Sequence, residues 1–305
     1  MKFSSSPWLA YVGLVLSMVL WASSFVAIKI AYRSYDPMVV VFGRMTVASL
    51  CFLFLMKRFR RNEYRKGTLK SILFMALCEP CLYFLFEAKA LEQTTASQAS
   101  IVAAMLPLMV AVAARFFLKE SVSGRSVIGL AMAMIGACWL SLTGKVTAGA
   151  PNPALGNFLE FVAMICATGY VITLKRLTAS YSPFFLTAIQ AVVGCVFYFM
   201  LLFLPTTSFP VRLDPVGAFA IVYLGAFVTL GAYALYNFGI SKIPANQASS
   251  FINLIPVFTI VFAGWILNEQ LTSQQYLAAC MILAGVFISQ EIRREGETRF
   301  GLGKE

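Results

Sequence analysis

Histidine is absent from all 305 residues. With it go most zinc sites and the Ser–His and Cys–His pairs that activate a nucleophile. Charge is scarce: Asp, Glu, Lys and Arg make up 12% of the chain, against about 25% in soluble domains. Carboxylates are scarcest, with 13 in the whole chain and no D-D-x-x-D metal motif among them. No long catalytic loop is present either. These absences argue against an enzyme, and no cofactor or metal is expected. The seven cysteines are an odd number within apolar runs, which does not suit a disulfide framework. Cys78 and Cys81 form a C-x-x-C; without histidine or a second pair it reads as packing.

What fills the chain instead is apolar: 60% hydrophobic residues and a mean hydropathy of +0.80. At about 20 residues per membrane span, ten spans use roughly 200 residues and leave only short loops. Apolar runs at 9–32, 38–56, 69–91, 97–118, 125–142, 157–177, 184–204, 216–240, 247–267 and 275–291 predict ten transmembrane helices. Helix is the default because lipid offers no partner for backbone polar groups. The run Trp8–Ala31 is long for a signal-peptide core and reads as a retained first span. The tail after Gln290 reads as solvated.

The net charge of +11 is explained by topology. Lys57, Arg58, Arg60, Arg61, Arg65, Lys66 and Lys70 cluster in one connection, and most other cations fall on the same side of a ten-span chain. The opposite side keeps Lys29, Arg33, Lys89, Lys145 and Arg212. Positive charge marks the cytoplasmic face, so both termini are expected there. No nucleic-acid partner is needed; the bilayer is the expected partner.

The second half repeats the first. Gln98-Ala-Ser100 recurs as Gln247-Ala-Ser249, and the same shift of 149 takes Pro107 to Pro256, Glu120 to Glu269 and Gly136 to Gly285. Ser34-Tyr-x-Pro37 recurs as Ser180-Tyr-x-Pro183. Five spans per repeat force the halves into opposite orientations, an arrangement transporters use to rock about a midplane site. Two repeats are therefore expected at 1–142 and 155–291, with a periplasmic linker at 143–154 and a cytoplasmic tail at 292–305. A complete pathway in one chain allows a functional monomer.

The motifs Trp21-Ala-Ser-Ser-Phe-Val-Ala-Ile-Lys29, Tyr83-Phe-Leu-Phe-Glu-Ala-x-Ala-Leu91, Thr95-Ala-Ser-Gln-Ala-Ser100 and Leu106-Pro107 stand in the first half. Ala245-x-Gln-Ala-Ser249, Ile255-Pro256-Val-Phe and Leu267-Asn-Glu269 stand in the second. In these motifs and their order the chain resembles the EamA group of the drug/metabolite transporter superfamily over about residues 8–290. The resemblance implies export of a small metabolite, notably an amino acid, across a bacterial inner membrane.

A charge at the bilayer centre costs at least about 2.5–3.5 kcal/mol, so the few at that depth should face the interior. Glu79, Tyr83 and Glu87 are spaced by four, which puts them on one face of a regular helix. They read as a stripe that contacts an amine or carries a proton, or else Glu87 pairs with Lys89 or Arg44. Arg44 is a counter-charge or a grip for a substrate carboxylate. Tyr233, Tyr236 and Asn237 lie in span 8, where Tyr236 falls one shift from Glu87. Trp21, Ser24, Ser100, Tyr170 and Asn253 complete the candidate substrate-binding set, with serines and amides equally able to be packing glue. Pro107 and Pro256 are candidate helix interruptions bordering the site. Span 6 also offers Glu160 and Thr168, Glu160 being either a polar group at depth or an outer-interface residue; Glu120 and Glu269 read as helix-end residues. The Ala- and Gly-rich spans 5 and 10 read as scaffold. The expected activity is secondary transport by alternating access, possible with or without proton coupling. Efflux of cationic or lipophilic toxic compounds uses the same chemistry and is the alternative; a receptor or accessory subunit is a third.

Overall fold

In a computed structural model the described residues are 7–55, 67–118, 124–243, 248 and 251–289. Among them every regular element is helical, apart from one isolated bridge between Thr147 and Ala150. Gln247, Ser249, Glu120 and the tail 292–305 lie outside the described residues.

The helices are α1 (Pro7–Ala31), α2 (Pro37–Leu55), α3 (Leu69–Ala76), α4 (Tyr83–Gln93), α5 (Ala96–Ala103), α6 (Leu106–Leu118) and α7 (Gly124–Leu142). There follow α8 (Pro153–Leu177), α9 (Pro183–Leu201), α10 (Pro215–Tyr223), α11 (Tyr233–Lys242), α12 (Leu254–Ile266) and α13 (Ser273–Ser289). Wide π turns at Leu77–Leu82 and Leu224–Ala232 join α3 to α4 and α10 to α11. Six stretches are long and apolar enough to cross a membrane, and four shorter apolar helices stand beside them. Their outward sides carry bare apolar groups such as Trp265 and Phe116, 83% and 76% exposed. In water such a surface is a liability; in lipid it is the solvent-facing side. The chain is a multi-pass membrane protein.

Helix starts are written locally. Asn152, Ser182 and Asp214 each accept a hydrogen bond from the backbone three residues on, and each is followed by proline at the first helical position. The side chain satisfies an orphan N–H, and proline has none to lose there. Other connections are closed by tertiary contacts. Asn268, at a φ of 56°, turns the chain after α12, a conformation asparagine tolerates well. Glu269 then reaches the start of α5, accepting from Ala96 N and Ser97 N, both at 2.9 Å, and from Ser97 Oγ at 2.6 Å. A carboxylate there complements the positive end of a helix. At the same end Lys29 Nζ donates to Gly149 O at 2.6 Å. Lys175 Nζ donates to the Ile240 and Ile243 carbonyls that close α11.

The packing follows the repeat. α1 lies against α11 and α4 against α8, two contacts that exchange when the halves are swapped. The pairs α2–α9 and α7–α13 map onto themselves under that exchange. The α7–α13 seam depends on absent side chains: a Cβ on Gly285 would meet Gly129 O at 2.5 Å and Ala133 N at 2.9 Å. Small residues let these backbones touch. Neither helix borders the central cavity described next.

Candidate functional site

The site begins with a helix that cannot continue. Pro80 lacks the N–H a helix requires and drives its predecessor out of the helical region. Glu79 accordingly has φ −150° and ψ 117°. The freed carbonyls are taken up by α9: Gln190 Nε2 donates to Glu79 O at 2.9 Å, and Tyr198 OH donates to Cys81 O at 2.6 Å. The break corrects the regular-helix placement of Glu79, Tyr83 and Glu87 on one face. It redirects the Glu79 carboxylate toward α11, where Tyr233 OH donates to it.

Glu87, two turns along the restored helix, accepts from Tyr83 OH at 2.8 Å and faces Arg44 Nη1 at 3.9 Å. Both charged side chains are nearly inaccessible. Arg44 also donates from Nε to Thr229 Oγ1 at 3.1 Å, and its guanidinium stands 4.0 Å over the Phe84 ring. Lys89 is not the partner of Glu87; it pairs with Glu92 at 2.7 Å on the exposed side of α4.

Aromatic rings form the opposite wall. Trp21 packs on Tyr233 and Tyr236 at centroid distances of 5.0 and 4.8 Å. Such offset geometries are favourable for rings. Trp21 Nε1 and Tyr236 OH are buried and have no hydrogen-bond partner among the described residues. Tyr170 OH donates to Asn237 Oδ1 at 2.5 Å, and Asn237 Nδ2 donates to Thr187 Oγ1 at 2.7 Å.

Around these groups lies a cavity of about 40 Å³. Ligand pockets run to about 300–1,000 Å³, so this one has room for water and not for a metabolite. Trp21, Ser24, Arg44, Glu79, Tyr83, Glu87, Tyr170, Tyr233 and Tyr236 all line it. Ser100, Asn237 and Asn253 do not. Ser100 Oγ turns back to Ser97 O at 2.9 Å, a local bond open to any helical serine. Asn237 supports Tyr170 from behind. Pro107 and Pro256 also stay off the wall. Each follows a helix break, at residues 104–105 and 251–253, and the neighbouring Leu106, Ile252 and Ile255 supply the lining.

Phe84, Met164, Gln190 and Thr229 are parts of the site or its support that residue spacing does not reveal. Gln190 alone carried a signal, a lone amide in an otherwise apolar helix. Glu160 is fully enclosed by its neighbours, with an exposure of 0%. A separate vestibule of about 790 Å³ opens at the end of the bundle carrying Lys29, Arg33, Gln98, Lys145 and Glu269.

The EamA-like transporter family matches this sequence twice, over residues 8–142 and 154–290. The uncharacterized transporter YetK of Bacillus subtilis is 24% identical over 285 residues, covering 92% of this chain and 86% of its own. An uncharacterized transporter of Archaeoglobus fulgidus is 24% identical over 279 residues, covering 90% and 95%. A protein of Streptantibioticus cattleyicolor named a probable terminal-alkyne amino-acid exporter is 24% identical over 289 residues, 94% of each chain. A protein of known crystal structure shares the fold with a TM-score of 0.64 at 16% identity, covering 95% of this chain and 100% of that one.

Proposed function

Because this chain belongs to the EamA-like transporter family, we propose that it exports a small metabolite, an amino acid or a related amphipathic compound, by alternating access. The carrying observation is the convergence of Arg44, Glu87, Glu79 and the Trp21–Tyr233–Tyr236 rings, drawn from both halves, on one buried cavity. That inventory matches a zwitterion with an apolar side chain: a guanidinium for carboxylate, a carboxylate for amine, and rings for the remainder. The relative named as a probable amino-acid exporter points to the same substrate class.

In this reading the four shorter apolar helices join the six long ones as ten spans, arranged as two inverted repeats with both termini in the cytoplasm of a bacterial cell. The exchangeable packing of the halves supports the inversion, and the segregation of Lys and Arg supports the orientation. The vestibule then lies on the outer face. A 40 Å³ cavity fits the closed stage between two open ones, and entry requires the halves to part. One chain supplies both halves of the path, so a monomer suffices.

Proteoliposome counterflow with labelled amino acids and one organic cation tests this. Saturable amino-acid flux that disappears in Glu87→Gln is the expected result. Saturable cation flux with no amino-acid flux would replace it with efflux of toxic compounds.

A further inference from the structure

Glu160 lies on α8, and neither of its carboxylate oxygens has a hydrogen-bond partner among the described residues. It belongs to a stripe of Gly156, Glu160, Ala163 and Ala167, all buried, with the spacing of one helix face. That face meets the helix carrying Glu87. A Cβ on Gly156 would come within 2.6 Å of Thr94 Cβ and 2.9 Å of Ala90 O. Thirteen residues further on, a Cβ on Gly169 would lie 3.0 Å from Cys78 Sγ. The two segments run antiparallel between these contacts, which sets Glu160 level with Glu87.

Outward from Glu160 the next turn of α8 carries Asn157, the centre of a buried polar cluster. Its Oδ1 accepts from Thr94 Oγ1 at 2.9 Å, and its Nδ2 donates to Gln98 Oε1 at 3.1 Å and Ser141 Oγ at 3.2 Å. Gln98 also lines the vestibule. A polar column therefore descends from vestibule to cavity, with a carboxyl as its innermost step before Glu87.

Among the described residues, the other titratable groups near α8 leave Glu160 without a cation. On α4, Tyr83 is bonded to Glu87, and Lys89 and Glu92 pair with each other. Cys78, Glu79 and Cys81 belong to the π turn, at least a turn nearer the far end of the bundle. α5 has no titratable residue. Lys70 of α3 and Arg125 of α7 sit toward that far end, as does Lys242 of α11, while Cys138 of α7 is exposed. Tyr233 and Tyr236 of α11 face the cavity. On α8 itself, Cys166, Tyr170, Lys175 and Arg176 lie further along.

We propose that Glu160 is a proton-binding site, loaded from the vestibule when the Asn157 cluster opens and emptied onto Glu87. In the closed arrangement it is the neutral acid, since a carboxylate buried without cation or donor is costly. In the transfer, the Glu160 O–H bond breaks as a Glu87 oxygen gains the proton. Glu160 is left as a carboxylate until the vestibule reloads it. A proton on Glu87 removes the charge that holds a substrate amine, so the proton and the amine compete for one oxygen pair and proton entry drives substrate exit. This coupling rests on the transport reading above; the protonation of Glu160 does not.

Two measurements on the full chain in liposomes decide it. Infrared spectra at neutral pH should show a protonated-carboxyl C=O stretch that is lost in Glu160→Gln and shifted, not lost, in Glu160→Asp. Spectra of wild type and Glu160→Gln that match in this region would overturn the site. In transport, Glu160→Gln should retain counterflow without a gradient but lose all stimulation by a proton gradient. Parallel loss of both would make Glu160 a substrate ligand and overturn the relay, as would wild-type flux insensitive to the gradient. No flux of any probe in wild type would reject the transport reading, and the infrared result would still decide Glu160.

Discussion

Replacing Arg44 by glutamine should destabilise the protein, and adding Glu87→Gln should then cost less than the same change costs in wild type. The two charges stand 3.9 Å apart and are almost fully enclosed. At an effective dielectric of about 20 their attraction is about 4 kcal/mol. Removing one partner strands the other, and breaking a buried pair in this way costs about 3–5 kcal/mol. Arg44→Gln leaves Glu87 with only the Tyr83 hydroxyl and also gives up the contact with Phe84. Glu87→Gln leaves the guanidinium with Thr229 and the Phe84 face. The double variant buries no unpaired charge. Its loss should fall short of the sum of the single losses by about 2 kcal/mol, within the range of contacting pairs. Denaturant titration in mixed micelles, followed by tryptophan fluorescence, measures all four corners of the cycle. Single losses that add to within about 0.5 kcal/mol would refute the pairing. So would an Arg44→Gln protein as stable as wild type.

Gly285→Ala should cost about 1–3 kcal/mol, the usual penalty of overpacking, because its Cβ would strike the backbone of α7 at 2.5 Å. The same titration reads this, and unchanged stability would mean that the α7–α13 seam is looser than described. Glu269→Gln should cost about 0.5–2 kcal/mol, as lost helix caps do, through its three bonds to Ala96 and Ser97. Faster amide exchange confined to the first turn of α5 would identify the cause, and unaltered exchange there would refute it.

The resemblance motifs acquire physical reasons in the fold. Leu267-Asn-Glu269 is a helix stop, a left-handed turn and a cap for another helix. Thr95 at the head of its motif caps α5 by accepting from Gln98 N. Trp21 and Tyr83 stand on the cavity wall. Thr95 and Tyr83 find partners within a turn of their own helices, but Glu269 and Trp21 meet theirs more than 170 positions away, which no local pattern records.

Sequence alone determined the class of the molecule. Too few charges exist to cover a soluble surface, and backbone groups in lipid must be satisfied within their own segment. It also determined which groups belong inside, since a rare Arg or Glu at membrane depth has nowhere else to go. That reasoning reached Arg44, Glu79 and Glu87, and the repeat placed Tyr236 opposite Glu87. Tertiary structure decided the rest. The direction of Glu79 depends on a broken turn whose carbonyls are held by α9. Ser100 and Asn237 left the cavity because a serine finds its own helix backbone and an asparagine found Tyr170. Glu160, near the start of its span, is buried because Gly156 and Ala163 let α4 close over it. Whether a carboxyl near a helix end meets water or protein is set by the neighbouring helix, and no spacing within its own helix records that.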